Sequence, residues 1–96
     1  MRLPDPSDPS RLYLAAEGLL RDQPRATLRW LRARLGLSQE AFAERVDVSP
    51  KSVKNWEAGR RAIGPGYRAT LAALLVPHLA TPKGAAFARE LAVPRA

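Results

Sequence analysis

Between Gly36 and Gly59 the sequence leaves room for two helices, each too short to hold together alone. Ser38 is suited to cap the first, over Gln39–Val46, with Gln39 and Glu40 as favourable first-turn residues. Ser49 is suited to cap the second, over Pro50–Ala58. Pro50 falls at the first helical position, where a missing N–H costs nothing, and Gly59 supplies the stop. Isolated helices shorter than about 12 residues are marginal in water. Both segments therefore persist only if Phe42, Ala43, Val46, Val48, Val53 and Trp56 lock together against a scaffold. Ala43 is small where the second helix must cross. Val53 and Trp56, three positions apart, turn inward and leave Pro50, Lys51, Lys54 and Asn55 on the outer face.

The scaffold is legible as further short helices. No stretch alternates apolar and polar residues long enough to read as a strand, and no hairpin dipeptide occurs. Ser10, or Ser7 before it, opens a helix to Arg21 with Leu12, Ala16, Leu19 and Leu20 on one side; Pro24 breaks it. Arg25–Leu35 places Leu28, Leu31 and Leu35 on one face, with Gly36 as terminator. Pro65 suits a helix start, and Tyr67–Val76 points Tyr67, Leu71, Leu74 and Leu75 inward before Pro77 ends the segment. Thr81-Pro82 open a sixth segment anchored by Phe87 and Leu91. The fold class is all-α: a compact bundle of five to six short helices. Trp30 lies opposite the leucine stripe of its helix, beside Ala26 and Ala33, and needs a cover. The expected cover is the N-terminal helix, through Leu12 to Leu20; the competing one is a second subunit.

Charge narrows the function. The net charge of +7 is unevenly placed: Met1–Pro24 carries three basic and four acidic residues, Arg25–Arg68 ten and four, Ala69–Ala96 three and one. The positive excess coincides with the short helix pair, as expected for a surface that attracts polyanions. A solvated surface serving only solubility has the same charge, so the pattern of residues must decide. One histidine, no cysteine and no carboxylate pair in an expected cleft leave no nucleophile–base set for an enzyme and no metal-ligand group. No cofactor is implied. Gly64-Pro65-Gly66 lacks the spacing and lysine of a phosphate loop. Met1–Ser10 does not read as an export signal, and Leu71–Val76 is too short to span a bilayer. The expected location is the cytoplasm, on the nucleoid when DNA is bound, with no membrane partner.

Two runs carry a family resemblance. Leu28-Arg29-Trp30-Leu31-Arg32-Ala33-Arg34-Leu35-Gly36-Leu37-Ser38-Gln39-Glu40-Ala41-Phe42-Ala43 and Val48-Ser49-Pro50-Lys51-Ser52-Val53-Lys54-Asn55-Trp56-Glu57-Ala58-Gly59-Arg60-Arg61 resemble the lambda-repressor-like, XRE-type helix-turn-helix domains. The resemblance implies a positioning helix starting at Gln39, which would touch phosphate and brace the recognition helix, 50–58. It implies base contacts from Ser49, Pro50, Lys51, Lys54 and Asn55, and phosphate contacts from Ser52, Arg60 and Arg61. It also implies a structural ion pair between Arg32 and Glu57. Two residues depart from the family pattern. Asp47 stands where glycine usually takes a left-handed conformation, and Pro50 replaces a residue that often hydrogen-bonds a base, shifting readout to Lys51, Lys54 and Asn55.

The domain organisation expected is an N-terminal extension with a short helix packing on the core (1–24), the helix-turn-helix DNA-binding domain (25–76) and a C-terminal tail with a short helix (77–96). The expected function is sequence-specific binding of a double-stranded DNA operator by a transcriptional regulator, a repressor, as a homodimer whose contact surface comes from the fifth helix and the tail around Phe87. The alternative is an antitoxin of a toxin–antitoxin pair that represses its own operon through the same domain, with the toxin as protein partner. RNA readers of single strands expose aromatic platforms, which this sequence lacks.

Overall fold

The computed structural model of the chain describes residues 9–92, and six helices make up that span. They are α1 (Pro9–Asp22), α2 (Pro24–Leu35), α3 (Gln39–Arg45), α4 (Pro50–Glu57), α5 (Pro65–Leu79) and α6 (Pro82–Ala92). The all-α bundle expected from the punctuation is what forms. Ser7, an alternative cap for α1, lies outside the described residues.

One apolar core serves the whole described chain. It joins Leu12, Ala16 and Leu20 of α1, Leu28 and Leu31 of α2, Phe42 and Ala43 of α3, Val53 and Trp56 of α4, and Leu71, Ala72, Leu75 and Leu79 of α5. Helix α1 lies mainly against α5, and the charged rim of that contact is Arg68, 3.8 Å from Glu17. Arg68 also donates from Nη1 to the Ile63 carbonyl at 2.9 Å, so one side chain links α1, α5 and the loop before α5. Its buried Nε has no hydrogen-bond acceptor; the contact with Glu17 is an ion pair without a hydrogen bond.

Ser10 lies inside α1, which is already helical at Pro9, instead of capping it, and four further details differ from the sequence reading. Pro24 does not merely break α1; it is the first residue of α2, where its missing N–H is harmless. Pro77 does not end α5, which continues to Leu79. Proline inside a helix costs about 3 kcal/mol, but Leu75 and Leu79 on either side are buried while the Pro77 ring faces solvent. Burial of the flanking leucines opposes that cost. Tyr67 is 52% exposed instead of inward, because the first turn of α5 carries it past the edge of the core. Its ring still meets Trp56 at 5.5 Å in a tilted arrangement. The ring stacked on Trp30 comes from α6: Phe87 lies 4.6 Å away at 10°. The inward residues of α1, to which that cover was assigned, enter the main core.

Helices α5 and α6 meet at a bend of 119°. Thr81 makes the corner: its hydroxyl donates to the His78 carbonyl at 2.6 Å and accepts from Gly84 N–H at 3.0 Å. Buried Gly84 is there because a Cβ would overlap the His78 carbonyl and lie 2.6 Å from the Leu79 Cα. Gly84→Ala should force the corner apart. An overpacking cost of about 1–3 kcal/mol is expected, lowering Tm by about 4–8 °C for each kcal/mol in a domain of this size. A thermal melt followed by circular dichroism reads this directly.

Candidate nucleic-acid interface

Each end of the α3–α4 pair is built by local hydrogen bonding. Ser38 Oγ accepts from Ala41 N–H at 3.1 Å and caps α3; Ser49 Oγ accepts from Ser52 N–H at 3.1 Å and caps α4. The hydroxyls of Ser49 and Ser52 lie 2.9 Å apart, so one donates to the other and the acceptor keeps a free O–H. Between the helices Asp47 takes the left-handed conformation expected of it, φ 57°. Aspartate tolerates this region better than most residues, and it lets Val48 N–H return to the Ala43 carbonyl at 2.9 Å. After α4, Gly59 (φ 75°) turns the chain so that Arg60 N–H reaches the Asn55 carbonyl at 2.9 Å. The backbone of Arg60 is thereby tied to α4.

The pair is fixed to the scaffold by Glu57, which is buried although charged. Arg32 of α2 grips it in a two-pronged contact, Nε to Oε2 at 2.7 Å and Nη2 to Oε1 at 2.9 Å. The remaining Arg32 nitrogen, Nη1, donates to the Leu37 carbonyl at 3.0 Å, which fixes the α2–α3 loop as well. Gln39 adds a longer hydrogen bond to Glu57 Oε1, 3.4 Å, so α3 also bears on this carboxylate. The hydrogen bonds to Glu57 hold the Arg32 guanidinium above its ordinary pKa, against the opposing effect of burial.

Arg29 was missed by the sequence reading. Its Nε lies 3.8 Å from Glu57 Oε1 and its Nη2 3.5 Å from the Glu57 carbonyl. The signal was available: Arg29 precedes Arg32 by three residues and so shares its helix face. Arg25, one further turn back, lies over Gly59, where a Cβ would come 3.1 Å from its Cδ. Ile63 and Thr27 are also buried without having been singled out. A lone isoleucine in a loop gives no periodicity to detect, and Thr27 is held by a hydroxyl bond to the Leu19 carbonyl at 3.3 Å.

The structure brings the outward residues together as their spacing requires. Pro50, Lys51 and Lys54 are exposed, and Asn55 is half-buried. Lys51 sits three residues before Lys54 and four before Asn55, so all three are neighbours on one helix surface. Lys54 is not free: its Nζ lies 3.5 Å from Glu40 Oε1 on α3. Glu40 is held below the usual carboxylate range, first by its own backbone N–H and then by Lys54. Arg60 and Arg61 are exposed just beyond α4.

A family model for helix-turn-helix domains matches residues 28–75, a span that opens in α2 and closes in α5. The chain belongs to the lambda-repressor-like, XRE-type helix-turn-helix family. No curated protein and no solved structure matches the chain. In helix-turn-helix domains the second helix of the pair is the DNA-reading one, and α4 takes the second place in this pair. The direction of α4 is set by Glu57 and its contacts with α2 and α3. Glu57→Gln keeps the shape but removes the charge that compensates Arg32. Breaking a buried pair from one side costs about 3–5 kcal/mol, and Arg32, with its side chain 23% exposed, places the loss near the lower end. Urea unfolding should show that loss as a lowered midpoint with an unchanged slope.

Proposed function

We propose that this chain is a sequence-specific transcriptional regulator, a repressor, that places α4 in the major groove of double-stranded DNA. The observation that carries the reading is the braced geometry of α4: Val53, Trp56 and Glu57 are buried while Pro50, Lys51 and Lys54 stay outward beside half-buried Asn55. A helix of this diameter fits the major groove, where lysine pairs with guanine acceptors and asparagine with adenine. We assign base contacts to Lys51, Lys54 and Asn55, with Ser49 and Pro50 at the groove-entering end of the helix. Phosphate contacts fall to Gln39, Ser52, Arg60 and Arg61. Arg25 and Arg29 extend that cationic border along α2, next to Gly59 and Glu57.

The reading unit expected over 25–76 extends in this proposal to the whole of α2 through α5, 24–79, because α5 continues past Val76. Helices α1 and α6 pack on it. One short recognition helix covers only a few base pairs, so a homodimer on a two-fold symmetric operator supplies the missing discrimination. The site of action is the cytoplasm, where the operator is. No single helix among the described residues is long and apolar enough to cross a membrane.

Binding to random duplex, and selection of bound sequences from a random pool, test this directly. The chain should recover a motif with two related halves, and the mass of the complex should give two chains per site. Lys51→Ala with Asn55→Ala should relax the preference at individual positions, by about 1–3 kcal/mol for each base no longer read. Arg60→Ala with Arg61→Ala should weaken binding to every sequence alike. It should also flatten the salt dependence by about 0.9 for each phosphate no longer neutralised. Unchanged binding in both double variants would overturn the assignment.

A further inference from the structure

The ion pair between Glu40 and Lys54 is unaccounted for by groove entry alone. A recognition-helix lysine is at its strongest as a DNA ligand when nothing else holds it. Here Lys54 is held across the α3–α4 corner by a carboxylate 3.5 Å away. That carboxylate lies in the first turn of α3, where the helix dipole favours a negative charge. Lys51, on the same face of α4, makes no ion pair among the described residues. The two lysines of one helix face are therefore set up differently.

We infer that Glu40 is a specificity-setting residue, which withholds Lys54 from DNA phosphates and leaves it available to base acceptors in the groove. The inference rests on the DNA-reading role proposed for α4. An ammonium has three donors. Held 3.5 Å from Glu40, the Lys54 ammonium keeps donors for a guanine edge, whose O6 and N7 present two acceptors together. A phosphate in a random duplex offers Lys54 a competing charge, but taking it breaks the pair and brings Glu40 towards like charge. The correct base needs neither. Glu40 thus weakens binding to arbitrary sequence more than binding to the operator.

Both groups are well exposed, with side chains 63% and 53% accessible, so the effect is modest. Exposed pairs of this kind alter an equilibrium by roughly one- to fivefold. Removing Glu40 should raise affinity for random duplex by roughly two- to fivefold. It should steepen the salt dependence by about 0.9, the contribution of one additional phosphate neutralised. Affinity for the selected operator should change less, so the ratio of the two falls.

The test compares Glu40→Gln with Glu44→Gln, an equal change of charge at another exposed position of α3. Each is made in the parent chain and in Lys54→Met. Binding to a random-sequence duplex and to the selected operator is measured by fluorescence anisotropy at several salt concentrations. The expected result is a larger gain on random duplex for Glu40→Gln than for Glu44→Gln, with the difference abolished in Lys54→Met. Equal effects of the two glutamine variants, or a difference that survives in Lys54→Met, would overturn the inference while leaving DNA binding intact. Failure of the parent chain to bind either duplex would instead overturn the DNA-reading role itself. A thermal melt of each variant separates loss of α3 from loss of the pair.

Discussion

A buried carboxylate fixes where α4 points. Glu57 ends α4 almost inaccessible to water, a position that costs several kcal/mol unless charge and hydrogen bonding compensate. Arg32 compensates through two parallel N–H···O contacts, the geometry that guanidinium and carboxylate match best. Such pairs add little net stability compared with well-packed apolar side chains. What they add is direction, because only one relative placement of the two groups satisfies both. In this fold the directed objects are α2 and α4, with the α2–α3 loop held by the third Arg32 nitrogen and α3 by Gln39.

That directional role explains how helices of seven and eight residues can serve as a rigid unit. Their own hydrogen bonds are too few for stability in water. Serine caps satisfy N-terminal donors of both, and the left-handed residues at Asp47 and Gly59 return backbone bonds across each C-terminus. Phe42, Ala43, Val53 and Trp56 then bury the shared face. Apolar burial supplies the energy and the ion pair supplies the angle. The α5 side of the core also depends on α1, since Leu12, Ala16 and Leu20 lie in the same cluster as Leu71 and Leu75.

The sequence made the helices legible wherever local chemistry decided them. Ser38, Ser49, Pro50 and Gly36 mark boundaries through their own capping or backbone preferences, and each lies where those preferences place it. The arrangement of Arg32 and Glu57 was legible too, but only through resemblance, since a separation of 25 residues leaves no local trace. Long-range packing hid the rest. Pro77 looked like a stop because its local cost is large, whereas the burial of Leu79 belongs to the tertiary fold. Trp30 announced a need for cover, but which helix supplied it depended on the bend between α5 and α6. Lys54 was read correctly as outward, while its partner on another helix was invisible to periodicity.

The Lys54 case shows how a helix face differs from the sum of its exposed residues. Lys51, Lys54 and Asn55 lie on one helix surface, so a helical wheel treats them as equivalent ligands. The scaffold does not. Asn55 is half-buried, and its carbonyl anchors the turn that carries Arg60. Lys54 shares its charge with Glu40, and Lys51 projects without an ion pair among the described residues. Three adjacent side chains thus differ in freedom, in effective charge and in how much backbone order depends on them. The surface of one short helix is thus not uniform: one of its lysines is restrained by a carboxylate of the neighbouring helix, and the other makes no ion pair among the described residues.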